Sequence, residues 1–125
     1  MFLSKLNYWQ FRSNFNNSFH AKKPVEVFLD SLETKMRAKA FGSIEVLEEF
    51  GNKLREPHSS PIGNGLFELR IKFSSDITRI FYFFCLNNKI ILTNGFVKKT
   101  PKTPKSEIEL ARKYKADYER RHCNE

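Results

Sequence analysis

The sequence predicts an α+β fold: two N-terminal helices packed on an antiparallel β-meander, with a closing C-terminal helix, in one domain spanning residues 1–125. Three observations predict it. Apolar side chains recur at helical spacing from Val25 to Leu54, alternate strictly with charged ones from Leu66 to Phe73, and return to helical spacing after Pro104. A chain of 125 residues with 40% apolar and 14% aromatic content matches the size and core of one domain.

Residues 5–15 carry Leu6, Tyr8, Trp9, Phe11 and Phe15 among polar neighbours, an imperfect alternation read as a first strand. Residues 14–23 are polar and turn-rich. Pro24 then occupies a favoured first helical position, and Val25, Phe28, Leu29 and Leu32 follow at helical spacing, which predicts a short amphipathic helix. From Glu33 the positions Met36, Ala40, Ile44, Leu47, Phe50 and Leu54 keep the rhythm for a second, longer helix. Gly42 weakens its middle and Gly51 is available as a C-cap.

Residues 55–65 contain Pro57, Pro61, Gly63 and Gly65 and are read as an irregular, exposed connection. In residues 66–73, Phe67, Leu69, Ile71 and Phe73 share one face of a strand, and Glu68, Arg70 and Lys72 share the other. Ser74-Ser75-Asp76 makes a turn, residues 77–86 a second strand, Asn87-Asn88 another turn and residues 89–97 a third strand. Residues 77–86 are apolar at nearly every position apart from Thr78, Arg79 and Tyr82, so this strand is expected at the centre of the sheet, covered on both faces. Residues 98–104 form a rigid basic loop. Thr103 and Pro104 are expected to supply an N-cap and first-turn proline for the closing helix, whose apolar stripe is Ile108, Ala111, Tyr114 and Tyr118.

The charge balance, 22 Lys and Arg against 14 Asp and Glu, gives +8 and a pI near 9.6, which favours an anionic partner. The apolar start Phe2-Leu3 is interrupted by Lys5, Asn7, Gln10 and Arg12 before a signal-peptide core or membrane span develops, so a cytoplasmic protein without a membrane partner is expected. Cys85 and Cys123 fit neither a dense disulfide framework nor a CxxC metal site, and Cys85 is read as a buried free thiol. His20, His58 and His122 lie far apart with no acidic or cysteine partner at a ligand spacing. Neither a metal nor a cofactor is expected.

Walker, GxGxxG, HExxH and GxSxG signatures are absent, and no nucleophile and histidine stand in a recognised catalytic signature. What remains is a cationic set. Arg70 lies on the polar face of one strand, Arg79 punctuates the next, and Lys98 and Lys99 stand where the third ends, so an antiparallel meander brings all four together. A single strand or loop cation is usually just solvated. Arg79 differs, because a guanidinium in a buried strand needs a partner: Glu68 on the neighbouring strand, or an anion in a cleft.

Residues 65–70 (Gly-Leu-Phe-Glu-Leu-Arg), 79–83 (Arg-Ile-Phe-Tyr-Phe) and 95–104 (Gly-Phe-Val-Lys-Lys-Thr-Pro-Lys-Thr-Pro), followed by Glu107-Ile108, resemble the sequence core of phage-derived, HigB-type toxins of the RelE/ParE superfamily. Residues 24–32 extend the resemblance more loosely, while the first twenty residues and the tail depart from it. The resemblance implies a RelE/ParE-like fold and the toxin of a type II toxin–antitoxin system. It implies an endoribonuclease, an mRNA interferase, that cleaves mRNA at the ribosome and so inhibits translation and growth. The implied partners are a HigA-like, helix-turn-helix antitoxin, mRNA and the ribosome, with operator DNA reached only through the antitoxin.

In that chemistry the RNA 2′-OH attacks its adjacent phosphate, which excludes DNA as substrate. Arg70 and Arg79 hold the phosphate oxygens, since a planar, permanently charged guanidinium suits them better than an ammonium. Lys98 or Lys99 handles the proton, helped by neighbouring cations that lower a lysine pKa. Lys72, Tyr82 and Lys102 are the candidate substrate contacts, although an aromatic in a core strand is more often packing. Lys105, Arg112, Lys113 and Lys115 supply long-range attraction or a soluble helix face. Two rival functions share these features: a ParE-like inhibitor of DNA gyrase and a non-enzymatic basic binding protein.

Overall fold

The computed structural model describes residues 24–85 and 89–123. The strand expected over residues 5–15, the turn-rich stretch after it and the Asn87-Asn88 turn lie outside the described residues. Helix α1 (Pro24–Ser31) begins on its proline, and Val25 and Leu29 turn inward. Helix α2 (Thr34–Phe50) buries Met36, Ala40, Ile44 and Leu47. Arg37 ties the two helices by donating from Nε to the Leu29 carbonyl and from Nη2 to the carbonyls of Asp30 and Leu32. Gly51, at φ 55°, ends α2 as expected and donates its N–H to the Leu47 carbonyl. The helical rhythm fails at Phe50, which is 51% exposed, because the chain leaves the helix there for a short 3-10 turn (Gly51–Lys53).

Four antiparallel strands follow in sheet order β1-β2-β3-β4: β1 (Ser59–Gly63), β2 (Leu66–Phe73), β3 (Asp76–Phe84) and β4 (Ile90–Lys98). Strand β1 corrects the expectation of an irregular connection. Its one proline, Pro61, is compatible with a strand because β1 lies at the sheet edge. Arg70 donates its N–H to the His58 carbonyl at 2.8 Å, so with the register Ser60↔Glu68 and Pro61↔Phe67 the hydrogen-bonded pairs fall at 58/70 and 60/68. Pro61 therefore stands at a position whose nitrogen points away from β2. Asn64 and Gly65, at φ 54° and 82°, turn the hairpin.

The meander is otherwise as expected, with β3 central. Apolar residues on one sheet face, Leu69, Ile71, Ile80, Tyr82, Ile90 and Leu92, pack against α1 and α2. On the other face Leu66, Phe81 and Phe96 pack under Ala111, and Phe83 and Ile91 under Tyr118, of helix α3 (Lys105–Tyr118). Opposite Phe81 the β4 chain carries an extra residue, a bulge whose Thr93 hydroxyl donates to Asn94 Oδ1, while Asn94 Nδ2 donates to Glu107 on α3.

Two further expectations are corrected. Thr103 does not cap α3, because the helix starts at Lys105 with Pro104 as its N-cap and leaves Thr103 one residue too early; its hydroxyl donates to Glu68 Oε2 at 2.8 Å. Cys85 is half-buried against Phe83, Ile91 and Tyr118, but disulfide-bonded rather than a free thiol. The docking of Tyr118 on Phe83 brings the end of α3 to the end of β3, a proximity that sequence spacing hides. No described helix is long and apolar enough to cross a membrane.

Candidate functional site

Helix α3 covers only part of its sheet face, and the register defines what the rest presents. Leu66, Phe83 and Ile91 form one cross-strand row under the helix, and Glu68 and Phe81 the next. Beyond them come Arg70, Arg79 and Phe96, then Lys72, Ile77 and Lys98. Alternation places these side chains on one face, in rows about 7 Å apart on strands about 4.8 Å apart. Of the four cations that the meander was expected to gather, Arg70, Arg79 and Lys98 share this face, with Lys72 beside them, whereas Lys99 lies past the end of β4 and does not join them.

Glu68 organises the arginines. It is 2% exposed, and its two oxygens lie 3.4 Å from Arg79 Nε and 3.8 Å from Arg70 Nε, with Thr103 donating to it from the basic loop. Neither Nε makes a hydrogen bond, so the carboxylate balances charge while both guanidiniums keep donors to spend. Arg79, 7% exposed, therefore has the partner carboxylate expected of it and also faces a cleft. Burial lowers its pKa, with Glu68 opposing the shift and Arg70 adding to it. Lys98 is half-buried, and its pKa is lowered first by burial, then by the neighbouring Arg79 and Arg70, against a raising influence of Glu68.

The cleft, of about 650 Å³, opens where β2 runs on past β1, and Arg70, Lys72, Ile77 and Arg79 line one side of it. His58 also lines it. The Arg70 N–H bond to the His58 carbonyl sets His58, in the turn before β1, across from Arg70 at the edge of β2. The sequence offered His58 only as a possible metal ligand; the Asn64-Gly65 turn signals a hairpin, but by itself it pairs His58 with Ile71, and the bulge between Pro61 and Gly63 that moves the pairing to Arg70 belongs to the tertiary structure. Among the described residues no group of three His, Cys, Asp or Glu could hold a metal ion.

The remaining candidates are not in the rows. Lys99 and Lys102 are exposed in the loop after β4, which the Thr100 hydroxyl braces by donating to the Lys102 carbonyl. Tyr82 is 1% exposed on the opposite sheet face, stacked on Phe67 with centroids 5.4 Å apart and hydrogen-bonded to Ser59. Its ring is core packing, and a substrate contact is corrected to that role. On α3, Arg112 donates to the Gly63 carbonyl and Lys115 pairs with Glu119 at 2.9 Å, so both brace the fold.

An α+β unit with a four-stranded antiparallel sheet, three described helices and a cationic sheet face is consistent with the RelE-like class of fold. The chain belongs to the phage-derived Gp49-like protein family (DUF891), whose model matches residues 27–116, and that family is associated with RelE/HigB-like toxins. No curated protein matches the chain.

Proposed function

We propose that this chain is a single-domain, cytoplasmic toxin of a type II toxin–antitoxin pair, an endoribonuclease that cleaves mRNA at the ribosome and stops translation. The observation that carries the reading is the placement of Arg70, Arg79, Lys72 and Lys98 in two adjacent rows of one sheet face around Glu68. The +8 charge supports an RNA partner, and the family supports a toxin with an antitoxin of its own.

The RNA 2′-oxygen forms a bond to its adjacent phosphorus as the bond from phosphorus to the 5′-oxygen breaks, leaving a 2′,3′-cyclic phosphate and a free 5′-OH. Arg70 and Arg79 donate to the non-bridging oxygens and neutralise charge developing there. Lys98, whose proton burial and the neighbouring Arg79 make easier to shed than an ordinary lysine's, takes the 2′-OH proton once it has lost its own. Lys99, as the ammonium, gives a proton to the departing 5′-oxygen. The reaction as written uses only cations of this chain, and Lys72 and Lys102 attract the flanking phosphates. An antitoxin with a helix-turn-helix would carry the pair to operator DNA.

Inducing the chain with and without its neighbouring gene, while mapping RNA 5′ ends and plasmid supercoiling, tests this. New 5′-OH ends that vanish in Arg70→Ala support cleavage. Altered supercoiling with intact RNA would identify a gyrase inhibitor instead, and no toxicity a binding protein.

A further inference from the structure

We propose that the cleft beside the arginines is a nucleobase subsite, holding the base of the nucleotide next to the scissile phosphate against the wall of α2 at Gly42. This rests on the RNA reading and extends it to how the substrate is gripped. The cleft, at about 650 Å³, is far larger than a phosphate requires, and its two sides differ in chemistry. Arg70, Lys72 and Arg79 form the cationic side; Gly42, Val46, Leu54 and Pro57 form a wall of small and apolar groups, with Ser43 and Lys39 as polar atoms at hand. A planar base covalently joined to a phosphate matches both sides at once, apolar contact for its faces and hydrogen bonds for its edge.

Gly42 supplies the second, independent observation. It stands in the middle of α2, where glycine is less stable than alanine. The backbone does not demand it, since its φ lies outside the left-handed region, and packing does not either, since a Cβ built there meets nothing within 4 Å. What the missing side chain provides is bare helix surface facing the cleft. A residue that weakens its own helix without a fold requirement fits a surface kept open for a ligand.

The test uses the full chain with short 2′-O-methyl RNA oligonucleotides, which bind without being cut, each made intact or abasic at one position. Urea unfolding of Gly42→Ala and Gly42→Leu should show both at least as stable as the wild type. Removing one particular base should weaken wild-type binding by about tenfold, in line with the worth of a stacked base. Gly42→Leu should bind the intact oligonucleotide about tenfold more weakly than wild type and lose nothing further when that base is removed. Wild-type affinity in Gly42→Leu, or an undiminished abasic loss in it, would overturn the subsite. If Arg79→Ala binds RNA as tightly as wild type, the RNA reading itself fails and the subsite falls with it, so the two failures are told apart.

Discussion

Arg79 and Glu68 meet on the inside of the cationic face, Nε to Oε2 at 3.4 Å, with the arginine 7% and the glutamate 2% exposed. Removing one partner of a buried pair leaves the other uncompensated, here beside the like charge of Arg70. Glu68→Ala should therefore cost about 3 kcal/mol in urea unfolding. Adding Arg79→Met to it should recover part of that loss. An additive double mutant would show that the two side chains do not interact.

Arg70 has a different weight in the same group. Its side chain is 34% exposed, and its distance to the shared carboxylate is 3.8 Å, so its contribution to stability is screened. Arg70→Ala should unfold within about 1 kcal/mol of wild type. It should lose at least about a hundredfold in RNA cleavage, the usual cost of one oxyanion donor. Equal cleavage by wild type and variant would remove Arg70 from the site.

Lys98 carries a pH signature. Burial, Arg79 and Arg70 lower its pKa, so the folded chain releases this proton more readily than the unfolded chain does. Stability from this group is therefore absent at low pH and gained as pH rises through the lowered folded value toward the ordinary lysine value. Cleavage should rise with pH over the range where Lys98 loses its proton, below the ordinary lysine range. Lys98→Arg, which keeps the charge but does not shed the proton, should flatten that rise in a kcat-against-pH profile.

Gly95 of β4 is where α1 presses on the sheet. A Cβ there would come within 2.6 Å of the Phe28 ring and 2.8 Å of the Arg79 carbonyl oxygen. The ring has some freedom, but the backbone of the central strand has little. Gly95→Ala should cost about 1–3 kcal/mol, the range for overpacking. It should also lower cleavage, because Arg79 moves with its own backbone; unchanged stability would contradict the close approach.

Tyr82→Phe separates packing from function. The variant keeps the stack on Phe67 but leaves the buried Ser59 hydroxyl without its partner, at a cost of about 1–3 kcal/mol. Cleavage per folded molecule should match wild type. A selective loss of activity at full stability would place the phenol in contact with substrate.

The period of the apolar pattern made most of the architecture legible. The switch from helical spacing to alternation at Leu66, and back after Pro104, located α1, α2, β2 and α3, which are each built on one apolar face, while β3 and β4 showed as nearly continuous apolar runs covered on both faces. Strand β1 was hidden because Pro61 and Gly63 obey an edge position rather than a pattern, and the telling signal was a two-residue turn, Asn64-Gly65. Arg70, Arg79 and Lys98 could be grouped from sequence since a meander makes neighbours of such positions, whereas Tyr82 could not be excluded until its face was known.

By itself, then, the sequence determined the described elements other than β1, the central position of β3 and the surplus of cations, all properties carried by residue type and short-range spacing. Only the tertiary structure decided how those cations are used. Glu68 accepts from Thr103 and stands between two arginines, His58 comes opposite Arg70, and α2 turns Gly42 toward the same cleft. Each of these depends on strand register or on which helix flank meets the sheet, relationships between residues far apart in the chain that local pattern does not encode.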